Sequence, residues 1–342
     1  MSSQKLLNIY GLLLKLEPSY NGGGTVVVGT DGQWLLDPAE AEVSYLHDGA
    51  RIAQAPGTGN SFRRLAPSGR DFKLRYRVEG RGAGVAYSAS VFPPDAHVGL
   101  RASGHSVTTV VTGGVESQTY APLSLNDATW PSAVGEAYAR GQKYPFQAAY
   151  CDMSWEIEGP GTMVFEFPLS AIQTALPTDV AVPSITYSAL ATTPPKAESM
   201  VWTFGNFTAG IVRNAKFSKG QTISGPRLNQ NNQGHSGFSM GGRNPTLEVT
   251  LEAVALTTAD PWTAAGTFNP YGLRDTAKQI PVSMILGPSG VYNRIKFNAA
   301  LAQVVDVKEA SDGPTALWTV TFECKPSSPI LSDDYSLAFT NT

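Results

Sequence analysis

Four histidines and two cysteines in 342 residues leave little material for metal binding or proton transfer. His47, His97, His105 and His235 each fall in or beside a turn or loop, share no metal-ligand spacing, and read as surface residues. Cys151 and Cys324 form no CxxC pair, which points to buried thiols in a reducing compartment rather than to a zinc site or a disulfide framework. Asp333 and Asp334 are adjacent, so on a strand they point to opposite faces and cannot share a substrate. The glycine-rich run Gly80-Arg81-Gly82-Ala83-Gly84 follows a strand pattern without opening a helix, which argues for a flexible bend over a phosphate cradle. No GxSxG, Walker A, HExxH or EF-hand pattern occurs. The expectation is a protein that is not an enzyme, with no catalytic residue, no metal and no cofactor.

One charge feature rises above this background: Arg63, Arg64, Arg70, Lys73, Arg75, Arg77 and Arg81 crowd a short stretch. It has three readings. It is a solvated strand face; or an assembly contact, in which the basic face holding Lys73, Arg75 and Arg77 lies near an acidic face holding Glu248 and Glu252; or a phosphate contact, which a net charge of -3 and a pI near 5.8 disfavour.

The elements that must carry these residues are strands. Charged residues make up only 15% of the chain against roughly 25% in an average globular protein. The 34 glycines and 24 prolines, among abundant Val, Thr and Ser, are what short strands joined by many turns require. Residues 72–78 alternate apolar and basic without a break, and residues 247–252 alternate apolar with acidic or hydroxyl side chains. The apolar run from Leu6 to Leu14 is followed by Lys15 and Glu17 with no small-residue cleavage site, so it reads as a first strand rather than a signal peptide. No stretch reaches the ~20 apolar residues of a membrane helix. Short helices are expected within residues 95–103 and 260–278, the second opened by Asp260 as N-cap with Pro261 at its first position.

The order of parts recurs. A strand pattern ending near Asp48-Gly49, a polar segment over 50–67, the turn Gly69-Arg70-Asp71 and the strand 72–78 have a counterpart. It consists of 215–218, Lys219-Gly220, a polar segment over 221–240, Gly242-Arg243-Asn244 and 247–252. A hairpin follows in each half, 153–158 with 163–167 around Gly159-Pro160-Gly161, and 304–308 with 317–322 around Asp312-Gly313-Pro314. We therefore expect an all-β chain with minor α, built as two similar β-sandwich or half-barrel domains at 1–176 and 199–342, joined by a proline-rich connector at 177–198.

Several short motifs stand out: the run from Leu12 to Tyr20, the segments 99–104 and Thr119-Tyr120-Ala121-Pro122, Phe204-Gly205-Asn206-Phe207, and the Gly-Gly-Arg turn at Gly241. Together they resemble the tail tube proteins of long-tailed, non-contractile bacteriophages, in particular the type with a duplicated tube domain. Residues 126–143 depart from the pattern as a longer hairpin. The resemblance implies a structural virion protein, made in the host cytoplasm and placed in the tail. Its trimeric, pseudo-sixfold rings would stack into a tube, meet tape measure, tail terminator and distal tail proteins, and let double-stranded DNA pass without gripping it. Contacts between rings would come from the two long exposed loops, through Gly49, Pro56, Asn60, Arg63, Arg64 and Pro67 in the first and Gln221, Arg227, Asn231, Gln233, His235 and Met240 in the second. The alternatives are another virion component of the same fold, such as a terminator, baseplate or decoration protein, and a carbohydrate-binding β-module or β-rich hydrolase using the six tryptophans and thirteen tyrosines.

Overall fold

The structure is a computed structural model describing residues 5–45, 50–53, 63–66, 70–124, 130–187, 192–209, 211–225, 237–328 and 331–342. It is nearly all β, with short α-helices at Ala96–Ala102 and Pro270–Asp275. The alternating stretches form strands Arg70–Glu79 and Thr246–Glu252, with Phe72, Leu74, Tyr76 and Val78 and with Leu247, Val249 and Leu251 inward, and with Lys73, Arg75 and Arg77 and with Glu248 and Glu252 on the outer face.

Each of these strands is the centre of a similar arrangement. Arg70–Glu79 lies between Ala39–Tyr45 and Met163–Gln173, all antiparallel. Thr246–Glu252 lies between Val212–Ser218 and Thr315–Lys325 in the same sense. The connection between the first two strands of each set contains a small strand pair, Ala50–Ala53 with Arg63–Ala66 in one and Ile223–Ser224 with Ser239–Met240 in the other. The segments expected to be irregular loops therefore carry backbone pairing of their own.

Beyond the central strands the parallel continues. Met163–Gln173 pairs along its far edge with Gln142–Cys151 and Ser154–Glu158, which run on in sequence, and Thr315–Lys325 pairs with the single 19-residue strand Arg294–Asp312. Both long partners change register midway, between Gln147 and Tyr150 and between Val304 and Asp306. A bulge bends and twists a strand, and here each long strand leaves one layer and enters the other. On the far side of the bulge the partners are Ala133–Ala139 and Gln279–Leu286, followed by Gly11–Leu16 and Val201–Phe204. The first half adds the hairpin His105–Thr112 with Val115–Pro122, which the C-terminal strand Ser336–Thr340 ties to Arg294–Asp312.

Rings close the space between the layers: Phe322 against Phe204, Phe165 against Phe339 and Trp155 against Phe297. One apolar cluster runs through both halves. The connector lies over the first half: Thr178–Asp179 pairs with Lys143 and Gln142, Thr186 donates to the Val28 carbonyl, and Tyr187 meets Trp34 edge to face.

Three local expectations change. The second helix begins at Pro270, with Asn269 as N-cap accepting from the Gly272 amide at 2.9 Å. The Asx-Pro rule holds, but at 269–270 instead of 260–261. The bend at 80–84 is closely packed, because a Cβ on Gly82 would collide with the Tyr292 carbonyl oxygen and the Asn293 Cα, and the Gly82 amide donates to Asn293 Oδ1 at 2.7 Å. Of the histidines expected at the surface, His105 is fully buried and His97 half-buried, as described below.

Candidate functional site

The two halves meet edge to edge. Ser154–Glu158, the outermost strand of the first arrangement, pairs antiparallel with Val212–Ser218, the first strand of the second, through five rows from Ser154 opposite Ser218 to Glu158 opposite Asn214. On the inner face Trp155 is opposite Phe217, their rings stacked at 5.6 Å, and the Phe297 ring meets Trp155 edge-on at 5.5 Å. The apolar core thus crosses the joint without a break.

On the outer face the same rows carry charge. Glu156 is opposite Lys216, which is opposite Glu248. Arg77 reaches Glu156 at 2.5 Å and Asp37 at 3.2 Å, and Arg75 reaches Glu166 at 2.7 Å, a bond that raises the guanidinium further above its ordinary pKa. Lys73 lies 4.0 Å from Asp71, and Glu252 bonds Arg213 at 2.6 Å. Lys73, Arg75 and Arg77 therefore share a sheet face with Glu248 and Glu252, but three strands separate the two sets, and Arg75, Arg77 and Glu252 already have nearer partners. Exposed pairs of this kind contribute about 0–1 kcal/mol each, so their effect is on register more than on stability.

Of the loop candidates, Gly49, Pro56, Asn60, Pro67, Arg227, Asn231, Gln233 and His235 lie outside the described residues, as does His47. Arg63 and Arg64 open the strand Arg63–Ala66. Gln221 and Met240 sit at the foot of the second segment, where the Gln221 amide donates to Asp152 Oδ1 at 3.0 Å and Met240 pairs with Ile223. That foot is packed on the first half: Phe238 is buried beside Tyr20, Trp130 and Tyr150, and its amide donates to Tyr20 Oη at 2.7 Å.

Behind the joint lies a buried polar network that sequence reasoning missed. Lys219 is fully enclosed, donates to the Ser103 carbonyl, and is held by burial down to about 7, with Asp152 opposing that shift. Arg243 bonds Asp334 at 2.5 Å and the Leu123 carbonyl at 2.8 Å. His105 Nε2 lies 2.7 Å from Tyr335 Oη, and its Nδ1 lies 2.8 Å from the Leu100 carbonyl and 2.9 Å from Ser103 Oγ. Cys151 and Cys324 are buried free thiols, both pushed up by burial. In the sequence Lys219 and Arg243 look like turn residues; only the contacts across the halves reveal their role. Asp333 turns away from Asp334 and accepts from the Ser327 amide at 2.9 Å.

A cleft of about 320 Å³ opens beside this network and is lined by Glu40, Lys73, Arg75, Asp152, Ser170 and Gln221, among others. Lys219 and His105 are not part of its wall. Among the described residues no set of three or more His, Cys, Asp or Glu converges as metal ligands, and no helix is long and apolar enough to cross a membrane. Trp130, Trp155, Trp202 and Trp318 are buried, which removes them as a sugar-stacking platform.

His97 and His105 carry a pH prediction. Burial lowers His97 to about 4, and its Nδ1 lies 2.7 Å from Tyr120 Oη; burial, reinforced by Lys219, holds His105 well below its ordinary value. Below the ordinary histidine value of 6.5 the unfolded chain binds the proton that the fold refuses. The His97 contribution is therefore full above about 6.5 and is lost as the pH falls toward 4, and His105 acts in the same direction. Asp95, raised by burial from 3.8 to about 6, works in the opposite sense and adds stability as the pH falls across that range. Comparing urea unfolding of wild type and His97→Gln isolates the histidine: the wild-type advantage should shrink by about 1–3 kcal/mol between neutral and mildly acidic pH. A difference that stays constant over that range would show that His97 does not titrate this way.

A comparison of the chain with protein families finds no match, and neither does one with curated proteins.

Proposed function

We propose that this chain is the subunit of a phage tail tube, in which three copies form a pseudo-sixfold ring and rings stack into a hollow cylinder. The observation that carries this reading is the joint between Ser154–Glu158 and Val212–Ser218: two like strand arrangements already meet side by side inside one molecule. A sheet edge that pairs with its like closes into a ring if the rotation allows it, and head-to-tail stacking then makes a filament. Three chains would supply six such arrangements, as a single-domain subunit does in a hexamer.

The outer face of the joined sheet is compatible with DNA passage. Its basic groups Arg75, Arg77 and Lys216 lie in a field of carboxylates from Glu156, Glu166 and Glu248. Among the described residues, a lumen lined this way has no unneutralised basic stripe on which phosphates would stall. The reading places the protein in the virion tail, made in the host cytoplasm, with tape measure, terminator and distal tail proteins as partners.

Negative-stain electron microscopy of the purified chain over a range of concentrations tests it. Long uniform hollow tubes with threefold rings are the expected result. Rings that never stack would instead favour a terminator or baseplate role, and monodisperse single chains at every concentration would remove the proposal.

A further inference from the structure

The internal joint sets a pairing register with which the remaining outer edges of the two halves can be compared. Leu74 and Leu247 follow their Gly-Arg turns by the same spacing, and matching them carries the pairing register of one half onto the other. Ala39 and Ala41 then correspond to Ala215 and Phe217, and residues 308–312 correspond to residues 154–158. Among the described residues 304–312 pair as a strand only with Thr315–Lys325, and the helix Pro270–Asp275 approaches them through Tyr271, whose hydroxyl donates to Glu309, so no strand occupies their other edge. A second joint, made between molecules in the same register, would set 308–312 of one copy against 38–42 of the next. Ala310 would lie opposite Glu40 as Glu156 lies opposite Lys216, and Lys308 would lie opposite the position of Glu42.

That receiving edge is already covered. Lys5–Ile9 pairs with it from Lys5 opposite Val43 to Ile9 opposite Ala39. Ile9 stands to Ala39 as Ile157 stands to Ala215, and both isoleucines are fully buried. The N-terminal strand thus holds, within the free subunit, the place that the internal joint assigns to a neighbour's strand.

We propose that the edge at Ala39–Tyr45 is where a second copy docks through residues 308–312, and that Lys5–Ile9 is an intramolecular stand-in that leaves when the copy arrives. This rests on the tube reading above and specifies which edges meet. A covered edge is protected from pairing with the wrong chain. The exchange is not favoured by apolar burial, since Ser311 would come to the place of Ile9 and Glu309 to the place opposite Ala41. The free subunit therefore keeps its own strand, and the other contacts of the ring must drive the exchange. The chain can release this strand alone, because Gly11–Leu16 is separately paired with Ala133–Ala139 and the break between the two falls at the exposed Tyr10.

A reversible lock tests this. Asn8 and Glu40 are directly opposite, within disulfide reach for an antiparallel pair, and the native thiols are buried. Asn8→Cys with Glu40→Cys should lose tube formation when oxidised and regain it on reduction, the reduced form serving as the folding control. Glu40→Cys with Ala310→Cys should give covalent ladders between molecules when tubes are oxidised. If the oxidised lock assembles as well as its reduced form, or if no ladder forms in wild-type-like tubes, the docking edge is wrong while the tube reading survives. Failure of the wild-type chain to assemble at all removes both.

Discussion

Trp155→Ala should lower the stability of the free subunit by about 3–5 kcal/mol, the usual cost of deleting a fully buried tryptophan. A domain holds only about 5–15 kcal/mol in total, so the loss is a large share of what keeps the chain folded. The position makes the upper part of that range the expected one. Trp155 is 1% exposed, stacks on Phe217 across the joint and touches Phe297 in the opposite layer, so the void would open where two halves and two layers meet. Its indole N–H has no hydrogen-bond partner among the described residues. Trp155→Phe therefore keeps the stack and removes an unsatisfied donor, and should cost no more than about 1.5 kcal/mol. Guanidinium unfolding of both variants decides the matter. Equal midpoints for Trp155→Ala and wild type would mean that the halves are not held through this ring.

How much of this was legible in the sequence depends on how far apart the partners lie. Residues 72–78 and 247–252 announced themselves by period-two alternation, because each strand has one face on the core and one in water. The hairpins around 159–161 and 312–314 were legible for a similar reason, as their strands are joined by glycine-proline turns. The joint was not, since nothing local in Ser154–Glu158 says that its other edge will find Val212–Ser218. The long strand Arg294–Asp312 was seen only from 304 onward, because Asn298, Ala299, Ala300 and Ala302 lack the branched side chains that mark a strand. His105 and Lys219 show the other limit. Burial of a polar residue depends on partners from remote segments, Tyr335 in one case and Ser103 in the other, and composition carries no sign of them. Gly82 is the backbone version of the same limit: the bend looked loose because the chain crossing it comes from Tyr292 and Asn293.

Arg243 and Asp334 allow the buried network to be tested as a network. Their side chains are 9% and 6% exposed and meet at 2.5 Å, and Arg243 also closes the Leu123 carbonyl of the first half. Replacing either alone leaves the other charge buried without its counterion, which costs about 3–5 kcal/mol in comparable pairs. Replacing both with apolar residues of similar size, Arg243→Met with Asp334→Leu, removes two desolvated charges together and leaves the Leu123 carbonyl as the main orphan. The double variant should therefore be less destabilised than the sum of the singles, by at least about 2 kcal/mol of coupling in a double-mutant cycle. Additive losses would mean that each residue acts through separate contacts. A large coupling would show that the Gly-Gly-Arg turn at 241–243, which in the sequence looks only like a strand's approach, is a clamp between the second half's turn, the first half's Leu123 and the C-terminal segment. The three are brought together by one guanidinium, whose planar fork offers the Asp334 carboxylate its Nε and the Leu123 carbonyl its Nη1, two fixed donors where a lysine would have a single nitrogen.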